Sequence, residues 1–120
     1  MIDFPRVIPI LRIFELAKAR EFYLDFLGCS IDWQHGGGDS PHYIQVSRAE
    51  LVLHLTEHHG DTTPGTRVFI ETRGIEALYA ELSGKAYRFN RPGLETVPWG
   101  KELEVSDPFG NRLTFTERKP

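Results

Sequence analysis

Five residues in one short run, His54, Glu57, His58, His59 and Asp61, carry side chains that ligate metals. A specific site needs three or four such donors aimed at one point. From Glu57 onward, however, the chain is polar and loop-like, and adjacent His58 and His59 point apart on an extended chain. A solvated linker is therefore the reading this run favours. His54 differs from the rest because it alternates with Leu51, Leu53 and Leu55, and it is expected to be a hydrogen-bonding residue of a pocket or a satisfied buried histidine. Glu71, Glu102 and Glu104 are either solvent-facing strand residues or, gathered in a concavity, a lure for a cationic ligand, with Arg67 and Arg112 as their natural partners. Trp99, between Pro98 and Gly100, is a loop tryptophan whose ring either stacks on an aromatic ligand or plugs the end of a sheet. Trp33, His35 and Tyr43 flank a glycine run and are weaker candidates for the rim; ordinary sheet packing suits Trp33 better. No Ser-His-Asp or Cys-His arrangement can be assigned, and Cys29, at a helix end and a strand start, is not placed to become a thiolate.

The elements that must position these residues follow from periodicity. Val7–Leu11 reads as a strand, with Pro9 implying an incomplete ladder on one edge. Leu16–Leu27 reads as a helix: Leu16, Ala19, Phe22 or Tyr23, Phe26 and Leu27 recur at helical spacing, and Gly28 sits where a C-terminal cap belongs. Cys29–Gln34, Tyr43–Ser47 and Glu50–Thr56 read as strands. The run His35 to Pro41 between the first two is expected to be a mobile loop. It lacks the spacing and lysine of a phosphate-binding loop. Glu57 to Gly65 is the best linker. The order then restarts: a strand Arg67–Thr72, a helix Ile75–Leu82, a short strand Ala86–Phe89, a loop from Asn90 to Gly100, and a hairpin. In that hairpin Leu103 and Val105, then Leu113 and Phe115, alternate with polar residues across the turn Asp107-Pro108-Phe109-Gly110.

The offset between the halves is close to sixty residues, with Glu50–Leu55 matching Asn111–Thr116 in alternation. A weak internal repeat is a fold signal. Two units, 1–60 and 65–120, of strand, helix and three strands predict an α+β domain: a curved sheet with helices on its outer face. By alternation the concave face carries His54 and Thr56; Arg67, Phe69 and Glu71; Glu102 and Glu104; Arg112 and Thr114.

Size and charge bound the function. At 120 residues the chain is one domain. A net charge of -3 argues against nucleic acid, which needs clustered Lys and Arg, and is compatible with a cationic ligand. A single cysteine cannot close a disulfide within the chain. Residues 1–5 lack the basic and apolar regions of a signal peptide, and no window approaches a membrane span, so the cytoplasm is the expected location.

With the order βαβββ–βαβββ in view, the chain resembles the vicinal-oxygen-chelate superfamily of glyoxalases, bleomycin resistance proteins and extradiol dioxygenases. Ile8-Pro9-Ile10-Leu11 leading to Glu21-Phe22-Tyr23-Leu24-Asp25-Phe26-Leu27-Gly28 is similar to its opening strand and helix. Pro98-Trp99-Gly100-Lys101-Glu102 followed by Asp107-Pro108-Phe109-Gly110-Asn111 is closer still to the bleomycin resistance proteins. The resemblance covers nearly the whole chain. It implies a cytoplasmic homodimer whose concave sheets bind a bulky, partly cationic aromatic molecule without changing it, through Trp99, His54, Glu102, Glu104, Glu71, Arg67, Tyr43 and Trp33. The superfamily's metalloenzymes place ligands at four positions that correspond here to Ile8, His54, Arg67 and Thr114, and only His54 is a ligand type. The resemblance thus implies the fold without a metal or other cofactor. The alternative is a metal-dependent enzyme of glyoxalase or dioxygenase type; a dimeric scaffold for an unknown metabolite is a third.

Overall fold

The structure, a computed structural model, describes residues 1–85, 87 and 92–120. Its elements run β1 (Ile10–Arg12), α1 (Leu16–Arg20) continuing as a π-helical segment (Glu21–Phe26), β2 (Ser30–Gly37), β3 (Ser40–Arg48) and β4 (Leu51–Thr56). The second half contains β5 (Arg67–Glu71), α2 (Ile75–Ser83), β6 (Leu94–Val97), β7 (Gly100–Ser106) and β8 (Arg112–Arg118). The α+β fold class is as expected, but the single curved sheet divides into two four-stranded sheets, ordered β1-β4-β3-β2 and β5-β8-β7-β6. In each, the first strand joins the last of its unit in parallel and the remaining pairs are antiparallel. Ile13 N donates to Thr56 O at 2.8 Å, and Thr72 N to Thr116 O at 2.8 Å. That correspondence makes His54 and Thr114 equivalent positions of the two units, one residue away from the Glu50/Asn111 alignment.

Three expectations need correction, and a fourth falls outside the described residues. β1 starts at Ile10 rather than Val7, because Pro9 has no N–H to give the ladder. The glycine run is not a loose loop: β2 and β3 continue through it until Gly37 faces Ser40. Gly36, at φ +86°, makes this possible, since a Cβ there would stand 2.0 Å from the Pro41 carbonyl oxygen. The loop expected over 90–100 contains β6. The strand expected over Ala86–Phe89 lies outside the described residues, apart from Tyr87.

The core is one apolar cluster running through both units, from Leu11, Phe22, Phe26, Leu53 and Leu55 to Ile75, Leu82, Leu103, Leu113 and Phe115. The π-helical segment serves this core. Its wider turn, closed by Leu27 N to Phe22 O at 2.8 Å, buries Phe22, Tyr23 and Phe26 together. Polar ties stitch the units. Tyr23 Oη donates to Asp107 Oδ2 at 2.6 Å. Asn111 Nδ2 donates to the Arg12 carbonyl at 2.8 Å. Arg48 makes a two-pronged pair with Glu81, both bonds 2.7 Å. With helices and core on one side of each sheet, the other sides remain open, and the molecule extends 47 × 47 × 23 Å.

Candidate functional site

The open face of the first sheet is aromatic. Tyr43, Gln45 and Ser47 of β3 lie opposite Thr56, His54 and Val52 of β4, so all six side chains share one face. Ile10 of β1 joins them beside His54. Trp33 of β2 lies parallel to Tyr43, with ring centres 5.9 Å apart and planes 4° apart, and meets His54 edge-on at 5.2 Å. Trp33 is thus more than sheet packing: 37% of it remains exposed. Tyr43 Oη lies 2.7 Å from His54 Nδ1, and His54 Nε2 lies 3.0 Å from Gln45 Oε1. Gln45 Nε2 donates to Asp32 Oδ2 at 3.0 Å, and Ser47 Oγ donates to Asp32 Oδ1 at 2.9 Å. Burial holds the His54 imidazole below its ordinary pKa and pushes the Tyr43 phenol up. The Gln45 and Ser47 donors pull the Asp32 carboxyl down. At neutral pH the row is therefore a phenol, a neutral imidazole, an amide and a carboxylate.

The open face of the second sheet is charged. Arg67 Nε donates to Thr114 Oγ1 at 3.1 Å and stands 3.5 Å from Glu104 Oε1, which also accepts from Thr114 Oγ1 at 2.9 Å. Glu102 Oε2 accepts from Thr116 Oγ1 at 3.0 Å and from the Trp99 indole N–H at 2.8 Å. Trp99 occupies the two-residue turn between β6 and β7, where Val97 pairs with Gly100, and is 51% exposed. Gly100 is required there, because a Cβ would stand 2.1 Å from the Glu117 carbonyl oxygen. Glu71 is held at 3.1 Å by Arg118, not by Arg112.

The eight sequence-derived candidates therefore form two groups. Trp33, Tyr43 and His54 are together. Arg67, Glu71, Glu102 and Glu104, with Trp99 at their edge, share the charged face of the other sheet. Glu71 lines a cleft of about 1260 Å³ between the units, with Val52, Phe69 and residues of the N-terminal arm such as Val7. Gln45 and Asp32 were missed. The signal for Gln45 was available in the alternation that sets it on the Tyr43 face, whereas Asp32 reaches that face through the register irregularity between Ile31 and Trp33.

The four positions of the superfamily's metal ligands do not fit a metal. Ile8 has no donor atom, Arg67 is a permanent cation tied to Thr114 and Glu104, and both nitrogens of His54 are engaged. The His58 region does not gather either: Glu57 turns to His42, bonding its N–H and ring at 2.7 Å, and Asp61 accepts from Thr56. The His58 and His59 rings lie against each other at 5.0 Å, contrary to the expectation that they point apart. Among the described residues no group of three or more His, Cys, Asp or Glu converges to hold a metal ion. Cys29 is buried, and burial pushes its thiol up to about 11, which removes it as a nucleophile. Among the described residues no helix is long and apolar enough to cross a membrane.

A family model described as glyoxalase superfamily protein matches residues 1–120. Comparison with curated proteins finds no match. Among solved structures, the chain is similar to the bleomycin-binding protein of bleomycin-producing Streptomyces verticillus, complexed with copper(II)-bleomycin: 26% identity over 99% of this chain and 100% of that one, TM-score 0.74. It is also similar to TnmS3, an antibiotic-binding protein from Streptomyces sp. CB03234, at 18% identity over 99% and 100% of the two chains, TM-score 0.74. A glyoxalase/bleomycin resistance protein/dioxygenase superfamily member from Sphaerobacter thermophilus DSM 20745 matches at 20% identity over 96% and 98%, TM-score 0.70.

Proposed function

Since the chain belongs to the glyoxalase superfamily, we propose that it is a homodimeric binding protein that sequesters a bulky, partly cationic aromatic antibiotic of the bleomycin type without altering it. One observation carries this reading: the two open sheet faces hold the two halves of such a ligand's chemistry. The first offers aromatic surface in Trp33 and Tyr43, and the second offers carboxylates in Glu102 and Glu104 with Trp99 at their edge. Stacking and electrostatic attraction are then supplied by separate surfaces, which a large ligand can span. The donor set at the four metal positions favours binding over metal chemistry.

A second copy would cover the open faces. Ile2, Phe4 and Val7 support this, because they are 80%, 84% and 88% exposed on an arm without regular structure, and Phe69 is 50% exposed on a sheet face. Val7 and Phe69 line one cleft, and exposed apolar surface of this kind marks an interaction surface.

The test is a titration of tag-free protein with metal-free and copper-loaded bleomycin, followed by tryptophan fluorescence, with the mass in solution measured by sedimentation. Saturable binding to a dimer, weakened about tenfold in Trp99→Ala, corresponding to loss of about 1.4 kcal/mol of contact, is expected. Unchanged affinity in Trp99→Ala removes that residue from the site. Elemental mass spectrometry of protein prepared without chelator separates the enzyme alternative: a near-stoichiometric metal lost in His54→Ala would overturn the simple binder.

A further inference from the structure

We propose that Tyr43 is a specificity residue whose hydroxyl has a fixed polarity: at neutral pH it presents only lone pairs to a ligand, so the first sheet selects aromatic molecules carrying an N–H or O–H donor. The inference rests on the reading of this face as a binding surface, and it goes beyond it by assigning a direction to each hydrogen bond.

The direction propagates from Asp32. An ionised carboxylate only accepts, so the Gln45 nitrogen must face it and the Gln45 oxygen must face His54. An amide oxygen also only accepts, so His54 Nε2 carries the hydrogen, at 3.0 Å. A neutral imidazole has one hydrogen, so Nδ1 is bare and accepts the Tyr43 O–H at 2.7 Å. The phenol's single hydrogen is thereby committed. Ser47, donating to the other Asp32 oxygen, holds the carboxylate in place.

Protonation of His54 reverses the last link. With Nδ1–H present, His54 donates to Tyr43 Oη, the phenol hydrogen turns outward, and the face selects acceptors instead. The groups around His54 are few: Tyr43 and Gln45 on β3, Asp32 on β2 through Gln45, and Trp33 on β2, with His35 beyond it. β1 places Ile10 beside it and, two residues on, Arg12 on the same face opposite Thr56, with its guanidinium over the Phe14 ring at 4.6 Å. Asp61, in the segment after β4, acts on Tyr43 through its charge. The ordinary imidazole value of about 6.5 is lowered by burial, so the donor-selecting state is the one present at neutral pH.

Two isosteric bicycles serve as probes: indole, whose N–H donates, and benzofuran, whose oxygen replaces it. Nuclear magnetic resonance follows the Tyr43 ring and the His54 nitrogens of the full chain. At pH 7.5 the expected results are a His54 carrying hydrogen on Nε2 and indole binding about three- to tenfold tighter than benzofuran, the range of one net hydrogen bond. The preference is expected to disappear in Tyr43→Phe, and in the wild type at the pH where the His54 nitrogens report protonation. At pH 7.5, hydrogen on Nδ1, equal binding of the two probes, benzofuran preferred, or no response of Tyr43 to either would overturn the proposal. The tautomer and pH measurements use the wild type, so the test survives a poorly folded variant. Bleomycin titrated in parallel separates the two readings: indole selectivity without bleomycin binding removes the proposed antibiotic and keeps the polarity of Tyr43.

Discussion

Asp107 shows how a single side chain can hold a domain together. It is 6% exposed and accepts from Tyr23 Oη at 2.6 Å, Phe109 N at 2.9 Å, Asn111 N at 2.8 Å and Asn111 Nδ2 at 2.8 Å. Burial pushes its carboxyl up while these donors pull it back. Replacing Tyr23 by Phe leaves the ring in the core and removes one donor, an expected cost of about 1–2 kcal/mol in urea unfolding. Asp107→Ala strands several donors at once and is expected to cost about 3–5 kcal/mol. His54 adds a pH dependence of the opposite origin. Its folded value is depressed by burial, so between about 6.5 and that lower value the unfolded chain binds the extra proton. Stability is therefore full above this window and falls as pH drops through it. The urea midpoint should decline on acidification, and decline less in His54→Gln; equal declines would assign the effect elsewhere. The bond between Tyr23 and Asp107 was not legible in the sequence, because the two lie 84 residues apart and nothing local pairs them.

At the scale of elements, legibility followed local chemistry. The β7–β8 hairpin was readable because Asp107, Pro108 and Gly110 each do one job in its turn: Asp107 Oδ1 caps Phe109 N, Pro108 presets the bend, and Gly110 takes φ +90°. β6 was hidden because Leu94-Glu95-Thr96-Val97 is only four residues and pairs with β7 through a two-residue turn lacking the usual Asn-Gly signal. The glycine run misled for a related reason: glycine signals backbone freedom, whereas Gly36 is used for close approach to Pro41. The π-helical segment leaves its apolar residues near helical spacing, so sequence alone reads it as ordinary helix. The start of α2 is likewise tertiary. Gly74 and Ile75 donate to Glu117 Oε1 at 2.8 Å and 2.9 Å, so a residue of β8 caps the helix. Glu117→Ala should cost about 1 kcal/mol, with hydrogen exchange rising first at Ile75 to Leu78. Unchanged protection there would mean the cap is dispensable.

At the scale of the molecule, the two units share a core and exchange polar contacts across their seam, so they should unfold as one. Asn111 is the tie with most reach: it accepts from Thr66 N at 3.1 Å and donates to Arg12 O at 2.8 Å and Asp107 at 2.8 Å. Calorimetry of the wild type is expected to show a single transition with equal calorimetric and van't Hoff enthalpies. Asn111→Ala should lower the midpoint by several degrees, for a loss of about 2–4 kcal/mol. Two resolved transitions in the wild type would instead make the units independent. The contact between Glu117 and the start of α2 also bears on how the chain emerges from the ribosome. The strands of the first sheet are all present once residue 56 has been added, but the second sheet lacks β8, its partner for both β5 and β7, and α2 lacks its cap. Until residue 117 is released, β5 is an unpaired strand and Tyr23 waits in a half-built core. This is the interval of synthesis in which the chain most needs protection from its neighbours.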